Sequence, residues 1–354
     1  MGHNSFRSAG WMETNRRLGV LELKREGVVV EPQEKPLVPE PWSLCSAHLD
    51  GPRGIRYNLP RRRPADDLPE ELKQYNFGVA IMTHRGNSNG RLSVCLASLP
   101  ENYPVVVSSD SVEKEDVEKD AEICRYHGAE FNWSTPWAGR AGNAINTMDC
   151  ARGKGWDLVL YLNDDVWLAP ETCRDILFWY NEYLKEGMVE VGAMMVPGWE
   201  CYGHYDKLGF KSWQETFDNP QRLDFAPANP HFAKGPGMGH PFGCAMVIVM
   251  KCYDEVGGFV KEFWAEDDAF NHQFLVSGRW FGPYHPGKGY YHFGAQSGHT
   301  GETVEWVGSM EDALGVTAEE SGKMQEVYQN RWWEKYRDVF TRLGSKHVAL
   351  RNKT

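Results

Sequence analysis

The chain has 354 residues, of which 41% are hydrophobic and 25% charged, and it carries a formal charge of −11. That composition belongs to a soluble globular protein with ample core, and it excludes wholesale disorder and fibrous repeats. The acidity argues against indiscriminate binding to nucleic acid or anionic lipid, because a net field of that sign repels polyanions.

The apolar run over 244–250 is far shorter than the roughly 18 to 20 residues that cross a bilayer. Residues 1–30 hold no apolar core of the signal-peptide type, so a cytoplasmic location is expected. Eight cysteines, at 45, 95, 124, 150, 173, 201, 244 and 252, show no CxxC spacing and read as reduced, buried thiols.

Residues 1–75 read as a Pro/Arg-rich N-terminal extension. Pro32, Pro36, Pro39 and Pro41 precede a basic stretch with Arg53, Arg56, Arg61, Arg62 and Arg63, and prolines at this density prevent regular ladders. The arginines read as a solvated face or as a dock for an anionic acceptor.

From Phe77 the texture changes to short apolar runs alternating with helical patterns, the mark of an α/β sheet. Strands are predicted over Phe77 to Thr83, over 105–108 and over 157–162. Between them, Val117, Ala121 and Cys124 give a helical spacing that stops at Gly128, and Ala144, Met148 and Ala151 give one that stops at Gly153.

Another helix is predicted over 171–185, with Pro170 at its start and Gly187 past its end. Residues 197–243, rich in Gly, Pro and aromatics, read as long loops around a site. A strand over 245–250 and a helix from Glu266 to Val276 follow.

Near the end, Thr317 and Glu320 form a capping box. The stripe Met324, Val327, Tyr328, Trp332, Tyr336, Val339 and Leu343 then marks one helix face, closing at Gly344. This stripe is expected to pack on the preceding domain. Residues 331–354 hold seven Lys or Arg against two acids, so with Trp332 and Trp333 the helix also suits a membrane interface.

The chemistry-bearing residues gather late in these elements. The strand over 157–162 runs into Asn163-Asp164-Asp165, and ligands of open α/β sheets bind at the carboxyl ends of strands. Two adjacent carboxylates there suit a hard divalent cation bridging to phosphate, although a solvated loop or helix cap explains an isolated Asp-Asp equally well.

Glu266-Asp267-Asp268 at a helix start is accounted for by the helix dipole alone. Held near Trp264, one of these acids would instead serve as a general base. His285, His292 and His299 flank an aromatic run and read as hydrogen-bonded loop residues or ligands. The loop 235–239 permits close backbone approach to a phosphate or sugar.

Taken in order, these pieces resemble the GT-A fold glycosyltransferases, most closely the inverting family 2 type, over residues 76–299. The match is carried by Thr83-His84-Arg85 after the first strand, by Gly139-Arg140-Ala141-Gly142-Asn143, and by Asn163-Asp164-Asp165 in the place of the DXD metal motif. Gly243-Cys244-Ala245, Gly257-Gly258-Phe259, Phe263, Glu266-Asp267 and a final His292 complete it. Two departures stand out: Asn163 replaces the first acid of the motif, and Ser108-Ser109-Asp110 stands where a nucleotide-reading Asp is usual.

The resemblance implies a Rossmann-like mixed sheet flanked by helices, with a nucleotide-binding half over 76–190, an acceptor and catalytic half over 191–299, and a C-terminal helical segment over 300–354. It implies a nucleotide-diphosphate sugar donor, a UDP-sugar first, contacted by Thr83, Arg85, Asp110, Arg140, Asn143, Asp164 and Gly243. Mn²⁺ or Mg²⁺ would be held by Asp165 and His292, and Asp267, with Glu266 beside it, would accept the proton of an acceptor hydroxyl. A glycan, a protein and a modified nucleobase all remain open as acceptors. Two rival readings are a nucleotidyltransferase, which needs a basic phosphate loop that the first strand lacks, and a sugar- or nucleotide-binding scaffold with a degenerate site.

Overall fold

The computed structural model describes residues 61–86, 90–133, 139–196, 198–200, 215, 244–260, 266–282, 289–292, 311 and 314–351. Gly243, His285, His299, Phe263, Trp264, Cys45, Cys201, the loop 235–239 and most of the stretch 197–243 lie outside these.

After a short 3₁₀ turn at Glu70–Leu72 the chain enters β1 (Phe77–Thr83), α1 (Arg91–Ala97), β2 (Val105–Ser109), α2 (Lys114–His127), β3 (Glu130–Trp133) and α3 (Gly139–Gly153). Next come β4 (Leu158–Asn163), β5 (Val166–Leu168), α4 (Thr172–Lys185), β6 (Val191–Met195) and β7 (Gly198–Glu200). The remaining elements are β8 (Ala245–Val249), α5 (Met250–Glu255), α6 (Glu266–Val276), β9 (Trp280–Gly282), β10 (Tyr290–His292) and α7 (Ala318–Arg351).

Seven strands form one sheet in the order β3-β2-β1-β4-β8-β6-β9, and β5-β10-β7 form a second, smaller one. β3, β2, β1 and β4 run parallel, while β8 is antiparallel to both β4 and β6. The result is a mixed sheet flanked by helices, as the resemblance implies.

β1, β4 and β8 are apolar on both faces, so Val79, Ile81, Leu158, Leu160, Val247 and Ile248 all sit in the core. Strands inside a sheet whose two faces are both covered need that, whichever way they run. α3 lies against β1 and β2 and supplies Ala144, Met148 and Ala151, the residues whose spacing marks it in the sequence.

α2 stops where Gly128 takes a φ of 69°, which lets Ala129 N–H reach back to the Cys124 carbonyl at 2.8 Å. Cys95, Cys124, Cys150, Cys173, Cys244 and Cys252 are all free thiols, five of them buried.

Two expectations need correction. Arg53 and Arg56 lie outside the described residues, and the described part of the basic stretch, Arg61 to Arg63, is not simply solvated. Arg62 donates to the carbonyls of Pro100 and Tyr103, the latter at 2.6 Å, and the Arg63 guanidinium lies 4.9 Å from the Trp167 ring centroid. A half-buried guanidinium with carbonyl acceptors works as a structural tie.

The terminal helix also does not close at Gly344 but continues to Arg351. A glycine inside a helix costs only about 1 kcal/mol and does not by itself end one. On its stripe Val327 is 51% exposed, whereas Tyr328, Tyr336, Val339 and the fully buried Leu343 face the core. The capping box forms as predicted: Glu320 Oε2 accepts from Thr317 N–H at 2.9 Å, and Thr317 Oγ1 accepts from Glu320 N–H at 3.2 Å. Among the described residues no helix is long and apolar enough to cross a membrane.

Candidate active site at the strand ends

β1, β2 and β4 end side by side, with Thr83 level with Ser109 and Met82 level with Asn163. Parallel strands deliver their carboxyl-terminal residues to one edge, so the quoted motifs converge without any long loop having to reach across.

Thr83 Oγ1 donates to Asp164 Oδ2 at 2.6 Å. Asn143, from the first turns of α3, donates through Nδ2 to the Thr83 carbonyl at 2.9 Å and accepts from Ser108 Oγ at 3.2 Å. Three separately predicted site residues, Thr83, Asn143 and Asp164, are thus joined in one buried chain of hydrogen bonds.

Asp110 lies 2.9 Å from His84 Nδ1, and both side chains are buried. Burial pushes the Asp110 carboxyl above its usual range, and the His84 hydrogen bond opposes that rise. Arg85 stands in the left-handed region at φ 50°, with its amide on Ser111 Oγ at 2.7 Å and its Nε 3.4 Å from Asp116 Oδ2. Arg140 is partly buried in the opening turn of α3.

Asp165 occupies the turn between β4 and β5. β10 pairs antiparallel with β5 so that His292 stands opposite Val166, the next residue after Asp165. This register brings His292 Nε2 to 3.1 Å from Asp165 Oδ1 across 127 residues of sequence (292 minus 165).

Both side chains are more than nine-tenths buried. Burial pushes the Asp165 carboxyl up, but His292 outweighs it and the group ends below the usual carboxylate range. Asp164 is held above that range, first by burial, with Arg91 opposing and the charge of Asp165 adding to the rise.

A hard divalent ion fits between Asp165 and His292. Asp165 Oδ1 is buried, with the His292 imidazole nitrogen 3.1 Å away. Neighbouring ligands of an octahedral ion, each at ~2.1 Å from it, stand about 3.0 Å apart. A carboxylate oxygen suits Mn²⁺ or Mg²⁺ alike, whereas an imidazole nitrogen favours a transition ion such as Mn²⁺ over Mg²⁺. Among the described residues no group of three or more His, Cys, Asp or Glu is gathered for a metal. An ion held by this pair therefore needs water or substrate oxygens to complete its shell.

The acid pair opens α6. Asp267 is partly exposed, Glu266 is the first residue of the helix, and Gly243 lies outside the described residues.

Two residues at this site are missing from the sequence reading, and a third, His84, is quoted there without a role of its own. Arg91 is 1% exposed and bonds to Asp164. His84 engages Asp110. Asp120, fully buried, accepts from Gly86 N–H and from Ser109 and Ser111 at 3.2–3.3 Å. A signal existed for the first, since Arg91 opens the otherwise apolar or small stretch Leu92-Ser93-Val94-Cys95-Leu96-Ala97, which reads as buried.

No protein-family model and no curated protein sequence matches the chain. Solved structures do match, at low identity. One is the mannosyltransferase PcManGT from Pyrobaculum calidifontis, in complex with GDP-Man and Mn²⁺, at 15% identity over 65% of this chain and 60% of that one, with a TM-score of 0.42. Another is S. aureus TarS 1–349 in complex with UDP-GlcNAc, at 14% identity over 73% of each chain, with a TM-score of 0.46. A third is GalNAc-T7 with UDP, GalNAc and Mn²⁺, at 14% identity over 65% of this chain and 47% of that one, with a TM-score of 0.40. The chain thus spans 60% of the mannosyltransferase and less than half of GalNAc-T7.

Proposed function

We propose that the protein is a metal-dependent glycosyltransferase that moves a sugar from a nucleotide-diphosphate donor to an acceptor hydroxyl with inversion. The observation that carries this reading is the buried Asp165–His292 pair, set at the strand ends one residue from the Thr83–Asp164 hydrogen bond.

Asp165 and His292 would hold Mn²⁺ or Mg²⁺, which supplies charge neutralisation for a diphosphate leaving group. Thr83, Asn143, Asp110 and Asp164 build the floor on which the nucleotide lies, and Arg85 and Arg140 bring cationic side chains to its rim. Asp267 takes the proton from the acceptor hydroxyl as that oxygen bonds to the anomeric carbon, on the face opposite the departing diphosphate. The bond from the anomeric carbon to the diphosphate oxygen breaks in the same step, and the diphosphate leaves with the bonding electron pair. Attack from the opposite face inverts the configuration at that carbon.

Incubation with Mn²⁺ and a panel of UDP- and GDP-sugars tests the reading. It predicts release of nucleoside diphosphate, whereas release of sugar 1-phosphate with transfer of the nucleoside monophosphate would establish a nucleotidyltransferase. Asp165→Ala should lose metal-dependent nucleotide binding. Asp267→Asn should bind nucleotide and metal as the wild type does, yet turn over ~10² to 10⁴ times more slowly, the usual contribution of a general base. Wild-type turnover in Asp267→Asn would end the base assignment and leave the acid pair as a helix cap.

A further inference from the structure

Arg91 is a fully buried guanidinium with its acceptors on two different pieces of chain. Nη2 donates to the carbonyls of His84 at 2.8 Å and Arg85 at 3.0 Å, and it lies 3.3 Å from Asp164 Oδ2. Nε reaches Asp164 Oδ1 at 3.4 Å. The first two acceptors belong to the turn that leaves β1, and the last two to the end of β4.

That turn contains a non-glycine residue in the left-handed region, Arg85 at φ 50°. A side chain with a Cβ stays there only when its surroundings impose it. Here both backbone groups of Arg85 are taken, the carbonyl by Arg91 and the amide by Ser111 Oγ at 2.7 Å. Gly86 next to it gives its amide to Asp120.

We infer that Arg91 is the positioning residue of the site: paired with Asp164, it fixes residues 84–86 against the Asn163-Asp164-Asp165 turn. Asp164 is the counter-ion that makes a buried guanidinium tolerable, and it acts on a bound nucleotide through this pair rather than as a metal ligand. A planar fork suits the task, because one group must satisfy carbonyls and a carboxylate at once. That the fixed turn forms part of a nucleotide site rests on the function proposed above.

The test is the double variant Arg91→Met with Asp164→Asn. Removing both charges together leaves no uncompensated buried ion, so the variant should melt within a few degrees of wild type, whereas Arg91→Met alone should melt much lower. In the double variant, amide hydrogen exchange at Arg85 and Gly86 should accelerate about tenfold or more, while β1 and β4 stay protected. Affinity for UDP or GDP in Mn²⁺, measured by calorimetry, should fall about tenfold, a change that a purely structural ion pair would not produce at unchanged melting point.

Wild-type exchange rates at 85 and 86 in the folded double variant would overturn the inference, and so would faster exchange with unchanged nucleotide affinity. If the double variant does not fold, Arg91→Lys, which keeps a cation beside Asp164 but lacks the planar fork that spans the carbonyls and the carboxylate, carries the same comparison. A wild-type protein that binds neither nucleotide refutes the donor reading. The exchange result then still decides whether Arg91 holds the turn.

Discussion

A single methyl group added at Gly198 should be felt at the metal pair. Gly198 lies beside Tyr290 in the parallel pairing of β7 with β10, and a Cβ placed on it would stand 2.0 Å from Tyr290 Cζ and 2.3 Å from Cε1. Ordinary carbon contacts are ~3.5–4.0 Å, so the ring must retreat by about 1.5 Å or more.

That ring has no room to do so. Tyr290 is fully buried, and its hydroxyl accepts from Cys244 Sγ at 3.3 Å. β10 must therefore move, and it carries His292 two residues further on, 3.1 Å from Asp165. Overpacking of this kind costs about 1–3 kcal/mol. Gly198→Ala should accordingly lower the melting point by several degrees and weaken Mn²⁺ binding in the presence of UDP or GDP.

Gly322→Ala is the matched control. Gly322 is an exposed position inside α7 with nothing within 4 Å of the added carbon, so the substitution should stabilise by about 0.5–1 kcal/mol. A Gly198→Ala protein that melts at or above the wild-type temperature and binds Mn²⁺ unchanged would refute the reasoning.

Two further perturbations probe the flanks. His127, with a ring nitrogen 2.9 Å from Ser93 Oγ, is pushed down to about 4 by burial and then by the charges of Arg62 and Arg61. An unfolded imidazole titrates near 6.5, so the neutral ring's contribution is complete above pH 6.5 and is lost as pH falls toward 4. The loss amounts to about 3 kcal/mol. Urea unfolding from pH 7.5 to 4.5 should show it, and an equally steep acid limb in His127→Gln would exclude this origin. Deletion of α7 before Thr317 should uncover the partners of Tyr336, Val339 and Leu343, and it removes the Ser321–His272 hydrogen bond of 2.9 Å to α6. A truncated chain that stays monomeric with an unchanged melting point would show that the helix does not hold the domain together.

Long periodic elements and cap chemistry were the legible part of this fold. β1 and α6 have the predicted bounds, and Gly128 and the Thr317–Glu320 box end and begin helices as their chemistry requires. α1 was invisible because all seven of its residues are buried, which leaves no polar face to create a period. β5 and β10 have three residues each, too few for alternation to register.

The site was legible to the extent that its acids sit at strand ends. What one sequence does not encode locally is pairing. That His292 meets Asp165 depends on the register between β5 and β10, and that Asp164 is neutralised depends on an arginine 73 residues away. Composition places arginines at the surface by default, so a buried one is found only when its partner is seen.

The sheet order has a consequence for how the chain is made. β4 lies inside the sheet, but its second neighbour, β8, begins about 80 residues after β4 ends. At ~5–20 residues per second of synthesis, β4 waits on the order of ten seconds with one edge unpaired. That edge is Leu158-Val159-Leu160-Tyr161-Leu162, uncharged and rich in strand-forming residues, the kind of segment that recruits another copy of itself. A nascent chain of this protein is therefore most vulnerable to aggregation after its parallel half has formed and before Ala245 has emerged. For the same reason, a fragment ending near Asp165 should be far less soluble than one that also supplies β8.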